Sequence, residues 1–144
     1  MTRGPRAIAI AIFRRRDEIL VSAVPDEVKG VTGWRAPGGG IEFGERGADT
    51  VTREVREELG VDVADVRYIG TVENVFTYLG RPGHEIVRVY AAAFADASLY
   101  ERERFECVEE VSGPFVCVWK PLGEFGGRAP LYPEGVLELL RGRL

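Results

Sequence analysis

Residues Ala48–Leu59 repeat with a helical period between glycines, and this most constrains what the chain can become. Ala48, Val51, Val55 and Leu59 stand three or four apart, which gathers them into one apolar stripe. Gly60 follows where a left-handed residue stops a helix. Upstream, Gly38-Gly39-Gly40 cannot be helix interior, because each glycine costs about 1 kcal/mol there relative to alanine. A triple glycine instead brings backbone close to something. A helix apolar on one face must lay that face on another layer.

The segments around it read as strands. Ala7–Phe13 and Glu18–Val24 are expected to pair through a hairpin turn at Arg14–Asp17. The triple arginine there is either a solvated turn or a contact for phosphate or another partner. Pro25–Gly33 reads as a loop, and Trp34–Ala36 as a short extended piece. Val66–Val75 and Glu85–Phe94 are rich in β-branched and aromatic residues, with Arg81–Gly83 turning between them. Val116–Trp119 is one more strand, and Pro133 opens a helix over Glu134–Leu140. Without a regular βαβ rhythm, these elements predict an α/β chain with a mixed sheet and helices packed on it. At 144 residues, a single domain spanning 1–144 is the natural size.

The helix carries chemistry on its edge. With Val55 as zero at about 100° per residue, Glu54 and Glu58 lie roughly 60–100° to one side and Glu57 about 160° round. Like charges at these spacings destabilise a helix by roughly 0.2–0.5 kcal/mol per pair, and a divalent cation reverses that. A solvated acidic face offset by Arg53 and Arg56 is the plain alternative from the helix alone.

Composition narrows the chemistry. The chain has 17 Glu and 6 Asp against 17 Arg and 2 Lys, with one His (His84) and two Cys (Cys107, Cys117). One His and two Cys cannot build a four-ligand structural zinc site of the usual kind. No G-x-S-x-G elbow accompanies His84, so a serine triad is unsupported. His84 reads as a turn or surface residue, or else a substrate contact. The cysteines form no C-x-x-C pair and are expected free and buried, as in a reducing cytoplasm. The abundant reactive group is the carboxylate, whose matching ion is a hard cation such as Mg²⁺. A net charge of −4 argues against nucleic-acid binding by bulk charge. The apolar run Ala7–Phe13 is too short to span a bilayer and is closed by Arg14–Arg16, so a strand is expected rather than a leader or membrane segment.

The stretch Gly39–Val61 reads GGIEFGERGADTVTREVREELGV. Five residues separate Gly39 from Glu45. Seven more lead to Arg53-Glu54-Val55, then Glu57-Glu58 and Gly60-Val61. This resembles the Nudix box, G-x5-E-x7-R-E-U-x-E-E-x-G-U with U aliphatic, and every defined position is filled. Trp34, Pro37 and Gly38 resemble the usual approach to it, and Trp119–Leu122 and the C-terminal helix extend the likeness more weakly.

The resemblance implies a Nudix-type α/β/α sandwich with a mixed β-sheet. It implies a Mg²⁺- (or Mn²⁺-) dependent pyrophosphohydrolase, in which water attacks phosphorus in a nucleoside diphosphate linked to another moiety. By the same resemblance Glu57, Glu58 and the Gly38 carbonyl are metal ligands. Glu54 is a ligand or the general base, Glu45 supports the metal site, and Arg53 holds a box glutamate by a charge-assisted hydrogen bond. Family members differ in whether the base is the box glutamate or a downstream acid, here Glu101, Glu103, Glu106, Glu109 or Glu110. Phe76 stands where ADP-ribose-type members carry proline, and Tyr78 where dinucleoside-polyphosphate members carry tyrosine. Phe76, Tyr78 and Trp34 read either as packing or as stacking on a base. The alternative function is a nucleotide-sensing Nudix module without catalysis, although such modules often lose box carboxylates and this one keeps them all. The expected partner is a small nucleotide derivative, with no nucleic acid and no membrane, in the cytoplasm. Many family members pair as homodimers, which the sequence leaves open.

Overall fold

The structure, a computed structural model, describes residues 4–142. The first three residues of the basic start lie outside that range. Among the described residues, two mixed sheets are built from ten strands. β1 (Arg6–Ile12), β5 (Gly38–Gly40), β6 (Val63–Tyr78) and β7 (Arg81–Phe94) form one sheet in the order β5-β1-β7-β6. β1 and β7 run parallel, and the other neighbours antiparallel. The second sheet has the order β10-β4-β3-β9-β8, from β3 (Glu18–Asp26), β4 (Val31–Arg35), β8 (Arg104–Glu109), β9 (Gly113–Pro121) and β10 (Leu131–Tyr132). The two-residue β2 (Arg14–Arg15) pairs with β3. The α-helices among the described residues are α1 (Gly47–Leu59) and α2 (Val136–Arg141).

β1 explains the layering. Its sequence RAIAIAI alternates alanine with isoleucine, and a strand points successive side chains to opposite faces. Ala9 and Ala11, with Phe13, join Val51, Val55 and Leu59 of α1 in one core. Ile8, Ile10 and Ile12 join Val136 and Leu140 of α2 in the other. The small alanines leave room for α1, and the larger isoleucines fill the opposite side. The α1 core is completed by aromatics, with Phe13 stacked on Phe94 at 4.3 Å between centroids and Phe105 and Trp119 around Phe94. This is the expected α/β/α arrangement, with two mixed sheets where one was expected.

Several expected boundaries move. Ala7–Phe13 and Glu18–Val24 do not form a hairpin with each other. The chain changes sheet after Phe13, Arg14 and Arg15 pair with Ile19 and Glu18, and only residues 16–17 turn. The expected loop Pro25–Gly33 is mostly strand, because β3 and β4 pair from Ser22↔Arg35 to Asp26↔Val31. Arg81–Gly83 belong to β7, and the turn is Leu79-Gly80, both with positive φ, which suits the right-handed twist of a two-residue hairpin. Pro82 is tolerated because it lies beyond the end of β1, where β7 is flanked by β6. Pro133 does not open the helix: Gly135, at φ 100°, is the residue before α2. β8 was not expected, although Phe105 and Cys107 alternate inward between exposed neighbours there.

Candidate active site

The site is assembled where the triple glycine meets α1. β5 runs against β1, with Gly38, Gly39 and Gly40 opposite Ile10, Ala9 and Ile8. A Cβ on Gly38 would stand 2.7 Å from the Ile10 Cα, and its φ of 152° disfavours any side chain. A Cβ on Gly39 would stand 2.5 Å from the Glu54 carboxyl carbon. The glycines therefore bring α1's acidic edge directly against strand backbone.

Arg53 organises the acids. Its Nε donates to Glu45 Oε2 at 2.8 Å and its Nη2 to Glu45 Oε1 at 2.9 Å, a bidentate pair. Nη2 also donates to the Gly40 carbonyl at 3.1 Å. Nη1 donates to Glu54 at 3.0 Å and to Glu57 at 3.3 Å. Thr50 donates to Glu45 at 2.7 Å. The hydrogen bonds from Arg53 and Thr50 outweigh burial and hold the Glu45 carboxyl down at about 2. The same bond to Glu45 raises Arg53 above its ordinary value. Glu45 and Arg53 thus clamp the β5–α1 connection to the helix.

Glu58 is different. Burial pushes its carboxyl up to about 7, and the neighbouring charges of Glu54 and Glu109 add to this against the Gly38 backbone N–H and Arg35. Its Oε1 is buried with no hydrogen-bond partner. Burial also raises Glu54, opposed by Arg53 and reinforced by Glu57 and Glu109. Among the described residues, no three His, Cys, Asp or Glu side chains are already gathered around one point that could hold a metal ion. The carboxylates are instead spread along Arg53 and the helix edge. The orphaned Glu58 oxygen, hard oxygen donors and glycine backbone without Cβ atoms nevertheless fit a hard cation.

The downstream acids separate. Glu109 is half-buried and acts electrostatically on both Glu54 and Glu58. It accepts a hydrogen bond from Ser112. Glu110 lines the same cavity. Glu101, Glu103 and Glu106 are exposed, with Glu103 on Arg15 at 3.3 Å and Glu106 on Arg104 at 3.4 Å. Glu109 and Glu110 reach the site through the β8–β9 turn, and β8 itself escaped the sequence reading.

A cavity of about 960 Å³ runs from these acids between the two sheets. Arg6, Lys29 and Arg35 give it basic wall residues, and Phe76, Tyr78 and Tyr132 give it aromatic ones. None of the basic three was singled out, because nothing local marks them; the topology alone brings them together. Tyr78 donates to the Pro25 carbonyl at 3.2 Å. Trp34 lies outside the cavity and packs on the α2 core, with the Lys120 ammonium 4.8 Å over its ring. His84 is exposed on β7. Both cysteines are free and buried. Among the described residues, no helix is long and apolar enough to cross a membrane.

A NUDIX domain model matches residues 2–134, so the chain belongs to the Nudix hydrolase family. The chain is 45% identical over 62 residues to the NAD-capped RNA hydrolase NudC of Pseudomonas aeruginosa, covering 43% of this chain and 22% of that protein. It is 30% identical over 128 residues to the CMP-5'-(N-acetyl-N-hydroxy-3-aminopropyl)phosphonate hydrolase of Streptomyces rubellomurinus, covering 85% of this chain and 54% of that one. The chain therefore matches about a fifth to a half of the length of these curated relatives. Among solved structures, a MutT NUDIX hydrolase from Burkholderia pseudomallei superposes with a TM-score of 0.69 at 23% identity, over 96% of this chain and 98% of that one. At that identity the superposition speaks to the fold.

Proposed function

We propose that this chain is a divalent-metal-dependent pyrophosphohydrolase that cleaves a nucleoside diphosphate linked to another moiety by attack of water at phosphorus. The observation that carries this reading is Glu58, whose buried Oε1 has no partner within an acidic, glycine-backed corner of a large cavity. The cavity combines that corner with Arg6, Lys29 and Arg35, which suits a charged phosphate chain.

Glu57, Glu58 and the Gly38 carbonyl would hold Mg²⁺ or Mn²⁺. Bound there, the cation neutralises phosphate oxygens and lowers the pKa of water. Glu54 is the catalytic base in this reading, because burial raises its basicity and it lines the cavity. Arg53 is a positioning residue that sets the Glu54 and Glu57 carboxylates. Glu45, with both oxygens engaged by Arg53, supports the metal site through that arginine. The relatives named as an NAD-capped RNA hydrolase and a CMP-phosphonate hydrolase are consistent with a nucleotide-bearing substrate.

The test is Mg²⁺-dependent turnover across a panel of nucleoside diphosphate derivatives, with products identified. Glu57→Gln and Glu58→Gln are expected to cut turnover by roughly a hundredfold or more, with the fold intact, because neither residue is in the apolar stripe. Wild-type rates in both variants would remove them from the site. Tight nucleotide binding without turnover on any substrate would identify a sensor instead.

A further inference from the structure

Three strands present a polar row on the cavity side of the first sheet. Arg6 of β1, Glu85 of β7 and Asn74 of β6 stand in direct register, Arg6 opposite Glu85 and Glu85 opposite Asn74. All three line the cavity. They share a face with Ile8, Val87 and Val72, the preceding row, which packs in the α2 core. Arg6 does not pair with Glu85: its guanidinium sits beside Gly40, where a Cβ would stand 2.9 Å from Nη2. Glu85 is left half-buried without an ion pair among the described residues. Among the described residues, its one side-chain hydrogen bond is a long 3.4 Å contact from Asn74 Nδ2.

The next row is aromatic. Phe76 lies over Gly83, directly across from it, where a Cβ would stand 2.6 Å from the ring Cε2. On the second sheet the Tyr132 ring, opposite Arg35 in register, lies over Gly33 two positions along β4, with a Cβ there 2.6 Å from Cδ2. Two glycines, one per sheet, thus let two rings lie against backbone along one cavity. Flat faces beside a donor–acceptor edge are what a nucleobase requires.

We infer that Phe76, Tyr132, Asn74 and Glu85 form a base-reading subsite for a guanine nucleotide. This rests on the hydrolase reading above for the fate of the bound nucleotide. The edge chemistry selects the base. A carboxylate only accepts, and has about four lone-pair sites to do so. Guanine presents two adjacent donors, N1–H and the 2-amino group, beside the O6 acceptor. Glu85 takes the two donors, and the Asn74 amide exchanges its weak contact for O6. Adenine reverses this order at the 6-position and N1, and hypoxanthine lacks the 2-amino donor.

Equilibrium titration of GDP, IDP and ADP against wild type and variants tests the subsite. Wild type is expected to bind GDP about ten- to hundredfold more tightly than IDP or ADP, as charge-assisted hydrogen bonds would give. Glu85→Ala is expected to bring GDP and IDP together, and the near-isosteric Glu85→Gln to narrow the gap. Asn74→Ala should weaken GDP and IDP equally and leave their ratio unchanged, because O6 is common to both. Equal wild-type affinity for the three nucleotides, or an unchanged GDP/IDP ratio in Glu85→Ala, overturns the inference. Turnover of guanine, hypoxanthine and adenine substrates, followed in parallel, separates the two readings. Discrimination in binding without any turnover sinks the hydrolase reading alone. Turnover without discrimination sinks the base subsite alone.

Discussion

A buried carboxylate with an unpartnered oxygen is costly wherever it occurs. For Glu58 the cost has a pH signature. Its carboxyl is raised from an ordinary 4.5 to about 7, so the folded protein holds that proton more tightly than the unfolded chain. Without metal, this group therefore lowers stability progressively as pH rises from about 4.5 through 7, and the full penalty persists above that. Glu58→Gln removes it. In chelator, the variant should match wild type near pH 4 and exceed it at pH 8 by roughly 2 kcal/mol, since one pKa unit is worth about 1.4 kcal/mol and partial exposure discounts the total. Thermal melts across pH measure this, and a gap independent of pH would contradict it. Residues such as Glu58 were legible because sequence spacing fixes their place on a helix. Glu109 was legible only as one of five downstream acids, since it reaches Glu58 through the pairing of β8 with β9.

Among the elements, α1 was readable from end to end: stripe, acidic edge and the left-handed Gly60, at φ 70°. β5 was not, because three glycines have no side-chain pattern to betray a strand. Its function lies in what is missing. Gly39→Ala would press a methyl against the Glu54 carboxylate, which Arg53 already holds. We expect turnover to fall about tenfold while stability drops by only about 1 kcal/mol, at the low end of overpacking costs because a side-chain end can shift. Gly123→Ala is the matched control, with nothing within 4 Å of its Cβ. A Gly39→Ala protein with wild-type kcat would mean the carboxylate has room to spare. The strand boundaries around Arg14, Pro25 and Pro82 shifted for a related reason. Proline and arginine clusters mark turns locally, but which strand lies alongside decides whether the turn occurs there.

The whole molecule depends on two sheets meeting around one cavity, and Asp26 is where their hairpins are fastened. Its carboxylate accepts from the Val28 and Lys29 N–H groups of the β3–β4 turn at 3.0 and 3.1 Å, and from Leu79 N–H of the β6–β7 turn at 3.3 Å. Burial opposes ionisation, but these donors outweigh it and hold Asp26 below the usual carboxylate range. Asp26→Ala should therefore speed amide exchange at Leu79 together with Val28 and Lys29, read residue by residue by NMR. Faster exchange at Val28 and Lys29 with Leu79 unchanged would show that the two hairpins are not coupled through this side chain. No sequence pattern announced this junction, because Asp26 and Leu79 are distant in the chain and belong to different sheets.

β1 serves both cores, yet its parallel partner is made much later: Ala7 pairs with Ile86 and Ile12 with Ala91. During synthesis the strand leaves the ribosome with both apolar faces uncovered and must wait for most of β7. Such long-range pairing slows folding and exposes a sticky segment meanwhile. The arginines that bracket it, Arg6 on one side and Arg14 to Arg16 on the other, then act as gatekeepers against self-association of the nascent chain.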